Sequence, residues 1–447
     1  MPELKKDSLM ITHDEEIGVV YYPAKGAVST TTPRHAQVME QVWQDYLEDK
    51  LSLEDRTAFE GYVERSFANK PDLPMMKYTN LLETRTLGRL EILVANKCNL
   101  NCRYCYAHGG DYARESQVLT PELAKKYLRA LFTDRYTGVN GVMFFGGEPT
   151  ISPDTIRTIC EFFEQYSSLG LIDKMPYFTM VTNGTLIDEA LAEIIKKYHI
   201  RVTVSVDGPP EINDKLRVDK VGNGTFAKIE RGIRLLQEVG NPPQMLEVTY
   251  TTLHHELGYS KTDIRRYLQE HFQVDNVLIE NCELNGYDDS LTCHTKDISG
   301  EADEKNNKLA VLKLRQKLSN SHFGDLACSA GTSSFALNPN GELYPCHQFT
   351  GMNEFCIARF VDGEFDFENY SMLLKRISMV HKCQSIQCED CWAKDLCNIC
   401  PATVLLHIRR RQGNISEIYC EREKQLKIQI LLKTAKEEAT KRGGIQT

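Results

Sequence analysis

The chain has 447 residues, enough for two or three domains that each bury a hydrophobic core. Charged residues make up 26% of the chain and the net charge is −9, which makes a nucleic-acid backbone an unfavourable partner. No stretch approaches the roughly 18 uninterrupted apolar residues of a membrane span, and the N-terminus lacks the apolar run of a signal peptide. We therefore expect a cytoplasmic protein with neither nucleic-acid nor membrane partners.

The 15 cysteines are numerous for a chain that is not secreted, and most of them are clustered. Three lie between residues 98 and 105, and nine lie between residues 328 and 420. In a reducing compartment such clusters indicate metal binding rather than disulfides. The isolated Cys160, Cys282 and Cys293 are predicted to be small buried apolar residues.

Residues 1–85 are predicted to form a small α+β domain. The β-prone runs IGVVYY and GAVSTTT precede two helical patterns, RHAQVMEQVWQDYLED and LEDRTAFEGYVERSF. The proline-bearing stretch NKPDLP then predicts a linker to the next domain.

Strand and helix patterns alternate in residues 86–320. The apolar, β-rich runs are RLEILVA, GVMFFGG, YFTMVTNG, RVTVSVDG, MLEVTYT and VLIENCEL, separated by amphipathic patterns such as PELAKKYLRALF. Six βα units of this kind predict a parallel sheet that curls toward a barrel. Active sites in such folds lie at the C-terminal ends of the strands.

A cysteine-rich loop, VANKCNLNCRYCYAHGG, ends the first of these strands. It carries Cys98, Cys102 and Cys105 in the pattern C-x3-C-x2-C, with Tyr104 just before the third thiol. Three thiolates do not close a tetrahedral zinc site by themselves, but they can hold three irons of a [4Fe-4S] cluster and leave the fourth free. A zinc site is the alternative interpretation.

The next three strands end in residues suited to ligand binding. These residues are Gly146, Gly147 and Glu148, then Asn183, then Ser205 and Asp207. The two glycines would let a ligand approach the backbone, and Glu148 offers a carboxylate to a cation. Each stretch alone could be a simple strand-to-helix turn. Together, beside the cysteine loop, they predict a binding site.

With these motifs the chain resembles the radical S-adenosylmethionine (SAM) enzymes. The resemblance implies an α/β fold: a partial (β/α)6 TIM-like barrel, a small winged-helix-like N-terminal domain and a C-terminal iron–sulfur domain. It implies that Cys98, Cys102 and Cys105 hold a [4Fe-4S] cluster that cleaves bound SAM to a 5′-deoxyadenosyl radical. Glu148 would receive the SAM ammonium. The implied cofactor-binding residues are Tyr104, Gly146, Gly147, Glu148, Asn183, Ser205 and Asp207.

Residues 321–425 resemble the SPASM domain, a seven-cysteine module that carries two auxiliary [4Fe-4S] clusters. The resemblance assigns four thiols to the distal cluster, Cys388, Cys391, Cys397 and Cys420. It assigns three to the proximal cluster, Cys328, Cys346 and Cys400. The usual run C-x2-C-x5-C-x3-C is shortened here, since only two residues separate the last pair. A structural zinc ribbon is the alternative, and residues 426–447 are predicted to form a separate C-terminal helix and tail.

Family members with this module commonly modify peptides. The N-terminal domain resembles the element of ribosomal-peptide maturases that binds a leader peptide as an added β-strand; a plain extension packed on the barrel is the alternative. The resemblance also implies an electron donor such as flavodoxin or ferredoxin. Three reactions compete: thioether formation from a substrate cysteine, carbon–carbon crosslinking, and oxidation to formylglycine. Enzymes of the last kind have an aspartate base after the cysteine of Y-P-C-D, where this chain has His347.

The ligand count favours thioether formation. Three assigned cysteines leave one iron of the proximal cluster open, unless Cys356 or Cys383 completes it. An open iron would bind the substrate cysteine as a thiolate. We therefore expect a precursor-peptide maturase that installs thioether crosslinks.

Overall fold

The computed structural model describes residues 4, 9–69, 85–112, 114–133, 135–282, 289–292, 328–368 and 370–380, and in the C-terminal region residues 388, 391–394, 396–397, 400–402, 404–405 and 417–441. The chain divides into two compact units. The barrel unit comprises Leu81–Glu301 and Ser329–Leu374, and the terminal unit comprises Met1–Asn80, Ala302–Cys328 and Lys375–Thr447. None of the helices in these described ranges has the length and apolarity needed to cross a bilayer.

The barrel unit contains six parallel strands whose order in the sheet follows the sequence. They are β4 (Thr86–Ala95), β5 (Gly138–Gly146), β6 (Tyr177–Thr182), β7 (Arg201–Ser205), β8 (Met245–Tyr250) and β9 (Val277–Asn281). The order contains no reversal, so all six C-terminal ends lie along one rim. This confirms the predicted α/β fold with a parallel sheet.

Helices connect these strands and cover one face of the sheet. They are α3 (Pro121–Phe132), α4 (Pro153–Ser168), α5 (Glu189–Lys197), α6 (Pro210–Leu216), α7 (Phe226–Glu238), α8 (Thr252–Glu256) and α9 (Lys261–Phe272). Side chains alternate along each strand. Val202 and Val204 are fully buried in the hydrophobic core, whereas Thr203 and Ser205 between and after them are partly accessible. The inner face of the sheet is therefore open enough to receive a ligand.

Four short strands extend this sheet beyond β4. They are β10 (Ser334–Leu337), β11 (Glu342–Tyr344), β12 (Ala358–Val361) and β13 (Glu364–Asp366), and α10 (Tyr370–Val380) follows them. β10 pairs in parallel with β4, and the other three continue as an antiparallel meander. The boundary predicted at residue 320 therefore does not separate compact units, because residues 334–366 hydrogen-bond into the sheet of the barrel.

The terminal unit is built on an antiparallel sheet in the order β1 (Met10–His13), β2 (Gly18–Tyr22) and β3 (Ala27–Thr31). The predicted helices are present as α1 (Pro33–Leu47) and α2 (Leu53–Phe67), and each begins at a side-chain cap, Thr32 or Ser52. β1 was not predicted, because four residues carry too little alternation to be recognised.

Both faces of β2 are covered, which explains its nearly continuous buried run. Val20 packs with α1 and α2 on one face. Val19 and Tyr21 pack on the other face with Trp392 and with residues of α11 (Glu417–Lys441). The C-terminal segment predicted as a separate helix is therefore part of the core of the terminal unit.

Candidate active site

The cysteine loop leaves the C-terminal end of β4 and returns to α3. Its three thiols are partly exposed, and burial, together with the charge of Glu148, raises the pKa of Cys98 to about 12. Two N–H groups point at Cys98 Sγ, from the backbone of Leu100 at 3.3 Å and from Asn183 Nδ2 at 3.6 Å. Such donors favour an anionic sulfur, so they fit a thiolate that binds iron.

The same loop does not favour a single metal ion. Across the described ranges, no three His, Cys, Asp or Glu side chains form a group that could hold one ion. A four-iron cluster makes a different demand, because each thiolate binds a different iron. A [4Fe-4S] cluster held by Cys98, Cys102 and Cys105 stays a prediction, with zinc as its alternative.

The two glycines after β5 allow a close approach of backbone to backbone, while their predicted role in ligand binding stays a prediction. A Cβ atom on Gly147 would lie 2.3 Å from the carbonyl oxygen of Lys97, and one on Gly146 would lie 2.4 Å from that of Ala95. Gly146 also has a φ of 133°, which few other residues adopt. The backbone of Ala95 and Lys97, at the start of the cysteine loop, packs against these glycines. This contact joins the ends of β4 and β5.

Glu148 is almost fully buried and held by four hydrogen bonds. Its Oε1 accepts from Thr150 N at 3.0 Å, Thr150 Oγ1 at 2.6 Å and Thr182 Oγ1 at 2.6 Å, and its Oε2 accepts from Asn183 N at 2.7 Å. Burial raises the pKa of Glu148, although these donors oppose the rise. Oε2 carries a single protein donor and so keeps a lone pair for a cation.

Asp207 lies in a buried network instead of an open pocket. Its Oδ2 accepts from the Tyr104 hydroxyl at 2.6 Å, its Oδ1 accepts from Thr249 N at 3.1 Å, and Arg217 lies 3.9 Å from Oδ1. Arg217 Nη1 also donates to the Tyr104 oxygen at 2.5 Å. Asp207 thus holds Tyr104 in place, and its predicted contact with the cofactor stays a prediction. Ser205 does lie on the accessible inner face.

Arg217 was missed in the sequence, because no motif surrounds it. It is 7% exposed, and its Nε has no hydrogen-bond partner in the described part of the chain. An unsatisfied buried guanidinium N–H is costly, so the position favours an anionic ligand.

A second unpredicted feature is a buried carboxylate paired with an imidazole. Glu91 Oε2 accepts from the backbone N of His347 at 2.8 Å and lies 2.9 Å from its Nδ1, while Arg89 lies 2.7 Å from Oε1. Although burial alone raises the pKa of Glu91, His347 and Arg89 bring it below its usual value. The His347 ring packs 4.4 Å from the ring of Phe145 on β5. In the sequence, the signal for this pairing was Glu91, a charged residue inside the apolar run RLEILVA.

The auxiliary cysteines fall in both units. Burial raises the pKa of Cys420 to about 11, and the thiols of Cys388, Cys397 and Cys391 raise it further, so these four lie near one another in the terminal unit. Cys328 and Cys400 also belong to the terminal unit, whereas Cys346 lies buried in the barrel unit. Cys293 and Cys383 lie outside the described residues.

The other isolated thiols have clear surroundings. Cys160 and Cys282 are buried in the hydrophobic core of the barrel unit, as predicted. Cys356 Sγ lies 3.5 Å from the carbonyl oxygen of Ala358. Burial raises the pKa of Cys356 to about 11, and its charged neighbours are Glu342, Arg359 and Arg114. The surroundings of Cys356 do not favour it as a cluster ligand.

Residues 92–264 match the model of the Radical SAM superfamily. The chain is 24% identical to the radical SAM cyclopropyl synthase TigE of Paramaledivibacter caminithermalis, over 75% of this chain and 72% of that protein. It is 25% identical to a cysteine-type anaerobic sulfatase-maturating enzyme of Clostridium novyi, over 70% of this chain and 87% of that protein.

Solved structures share the fold. That of native anSMEcpe with bound AdoMet is similar at a TM-score of 0.56 and 20% identity, covering 78% of this chain and 99% of that one. The structure of Streptococcus suis SuiB bound to precursor peptide SuiA is similar at a TM-score of 0.50 and 16% identity. That match covers 94% of this chain and 99% of the SuiB chain. The cysteine loop and the C-terminal ends of β4 to β8 lie within the residues that match this family model.

Proposed function

We propose that the protein is a peptide maturase that joins a cysteine sulfur of a precursor peptide to a carbon of that peptide. The observation that carries the SAM chemistry is the pair of N–H donors on Cys98 Sγ, next to the carboxylate of Glu148. Cys98, Cys102 and Cys105 would hold the first cluster. Glu148 Oε2 would bind the SAM ammonium, and Arg217 Nε, which has no hydrogen-bond partner among the described residues, suits its carboxylate.

The ligand count supports the thioether assignment. Cys388, Cys391, Cys397 and Cys420 lie near one another and would hold the distal cluster. The resemblance assigns Cys328, Cys346 and Cys400 to the proximal one. Cys356 faces a carbonyl and charged groups instead of thiols, and the count of three holds if Cys383, which lies outside the described residues, is not a further ligand. Bound SAM would supply the hydrogen-atom acceptor, and an auxiliary cluster held by these cysteines would accept one electron. A proton leaves the thiol, so the S–H and C–H bonds are replaced by one C–S bond.

Carbon–carbon bond formation is the second candidate. The likeness to TigE favours it, because a cyclopropyl synthase forms a carbon–carbon bond. Formylglycine formation is less favoured, since His347, held by Glu91, occupies the place of the aspartate base. The likeness to sulfatase-maturating enzymes keeps it among the outcomes to be tested.

The experiment is co-expression with a cysteine-containing precursor peptide encoded beside the gene, followed by mass spectrometry with and without thiol alkylation. A thioether removes two hydrogens and makes one cysteine resistant to alkylation. A carbon–carbon crosslink removes two hydrogens and leaves every thiol reactive. Formylglycine formation replaces the cysteine sulfur with oxygen. An unmodified peptide, under conditions in which SAM is cleaved, would argue against all three.

We further propose that the terminal unit binds the leader of the precursor as an added strand on β3. The sheet is covered on both faces, but among the described strands β3 lies at an edge, and its residues from Val28 onward are partly buried or, at Thr30, exposed. An uncovered edge presents unpaired backbone groups to an extended peptide. The likeness to the peptide-bound SuiB structure agrees with a peptide partner. A reduced flavodoxin or ferredoxin would supply electrons.

The two edges of this sheet offer a matched test. Thr12 on β1 and Thr30 on β3 both pair with Val19 from opposite sides. Proline removes one backbone N–H at either position, but only Thr30→Pro would alter the proposed edge. We expect Thr30→Pro to weaken precursor binding at least tenfold in fluorescence anisotropy, and Thr12→Pro to leave it nearly unchanged. Equal affinities for both variants would mean that the leader binds elsewhere.

A further inference from the structure

Asn183 connects the carboxylate of Glu148 to the sulfur of Cys98. Its backbone N–H donates to Glu148 Oε2 at 2.7 Å. Its side-chain amide nitrogen lies 3.6 Å from Cys98 Sγ and 2.9 Å from Asn99 Oδ1. Both hydrogens of one amide group are thus directed into the cysteine loop, one toward a sulfur and one toward an oxygen.

The orientation of this amide is fixed by its neighbours. Asn183 Oδ1 accepts from Thr185 N at 3.0 Å and from Thr185 Oγ1 at 2.7 Å. Asn99 Nδ2 donates to Thr185 Oγ1 at 2.8 Å, which closes a ring of hydrogen bonds through Asn183, Thr185 and Asn99. Because the oxygen is held twice, the amide cannot flip without breaking these bonds. Its N–H therefore stays directed at Cys98.

We propose that Asn183 is a positioning residue that sets the reduction potential of the first cluster through this N–H···S bond. Reduction adds negative charge to a cluster and its thiolates. A hydrogen bond to a ligand sulfur stabilises the reduced form more than the oxidised form and raises the potential. The cluster must be reduced before SAM is cleaved, so this contact eases electron entry. The inference rests on the proposed cluster at Cys98, Cys102 and Cys105.

The test is a potentiometric titration of the reconstituted protein, followed by electron paramagnetic resonance. The signal of the first cluster is the one absent from the triple variant Cys98→Ala/Cys102→Ala/Cys105→Ala. In Asn183→Ala we expect the ratio of reduced to oxidised cluster at a fixed potential to fall about tenfold. For a one-electron couple this equals a midpoint about 59 mV more negative.

Two further variants separate the hydrogen bond from a general disturbance. Thr185→Val keeps Asn183 but removes one of the bonds that fix its amide, so a smaller shift in the same direction is expected even if Asn183→Ala folds poorly. Asn223→Ala removes a surface asparagine that bonds Asp219, and it should leave the potential unchanged. An unaltered midpoint in Asn183→Ala and Thr185→Val, with full iron content, would overturn the inference. If the unsubstituted protein shows no paramagnetic resonance signal from the first cluster, the assignment of that cluster is wrong as well.

Discussion

Glu148 shows how a single buried carboxylate can serve both the fold and the chemistry. Four donors hold it at the junction of β5 and β6, and one oxygen remains available for a cation. Because the carboxylate is fixed before any ligand arrives, little conformational entropy is lost on binding. Asp207 is also buried and bonded at both oxygens, but it is faced by a cation, since Arg217 lies 3.9 Å from Oδ1. Burial alone does not distinguish these two acids, whereas their hydrogen-bond partners do.

Replacing Glu148 with alanine should weaken SAM binding. The variant loses a charge-assisted hydrogen bond worth about 1.5–3 kcal/mol, or roughly a ten- to hundredfold loss of affinity. Equilibrium dialysis with labelled SAM measures this, with Glu161→Ala on the exposed side of α4 as the control. Unchanged affinity in a folded, iron-loaded Glu148→Ala protein would remove Glu148 from the SAM site.

Tyr104→Phe tests the buried network. The hydroxyl lies between Asp207 and Arg217, so its removal takes one hydrogen-bond partner from each of these buried charged groups, at a cost of about 1–3 kcal/mol. For a unit of this size we expect the midpoint of thermal unfolding to fall by about 2–4 °C per kcal/mol. Tyr177→Phe, at an exposed ring, is the matched control and should change stability by less than about 0.5 kcal/mol. Equal thermal unfolding midpoints for Tyr104→Phe and Tyr177→Phe would show that the hydrogen bonds of Tyr104 do not stabilise the barrel unit.

At the level of secondary structure, the ends of the chain depend on each other. α11 buries Ile430, Leu431 and Ala435 against the sheet of the N-terminal segment. Lys436 adds contacts of 2.8 Å to Asp14 and 2.9 Å to Glu16. Deleting residues 1–85 to test leader binding would therefore also expose the apolar face of α11. Point substitutions at the edge strand avoid that difficulty.

The apolar contacts of α11 should outweigh its ion pairs. Leu431→Ala removes a fully buried side chain and should cost about 2–5 kcal/mol, whereas Lys436→Ala should cost at most about 1 kcal/mol. Both tryptophans of the chain, Trp43 and Trp392, lie in the terminal unit, so tryptophan fluorescence during urea unfolding reports on it selectively. Similar losses of unfolding free energy in the two variants would mean that the ion pairs of Lys436 stabilise α11 as much as its apolar contacts do.

At the level of the whole molecule, three groups of thiols have separate tasks under the proposed function. The triple alanine variant of Cys98, Cys102 and Cys105 should make no 5′-deoxyadenosine, because SAM then has no iron to bind. Chromatography of the reaction under reducing conditions measures the product, and iron analysis should show loss of one four-iron cluster with the auxiliary iron retained. Continued SAM cleavage by this variant would refute the central assignment.

The sequence by itself determined the parallel α/β sheet and the rim on which its motifs lie, because strand and helix periodicities are local and parallel strands end on one side. It also identified the cysteine loop and Glu148, which stand in recognisable short motifs. Only the tertiary structure revealed the pairing of Glu91 with His347, the contacts of Arg217 and the bond from Asn183 to Cys98. These contacts join residues that are 256, 113 and 85 positions apart, and no local pattern records such distances. The close approach of Gly147 to Lys97 and the packing of α11 on β2 were likewise decided by long-range contacts, since burial depends on which surfaces meet and not on the residues alone.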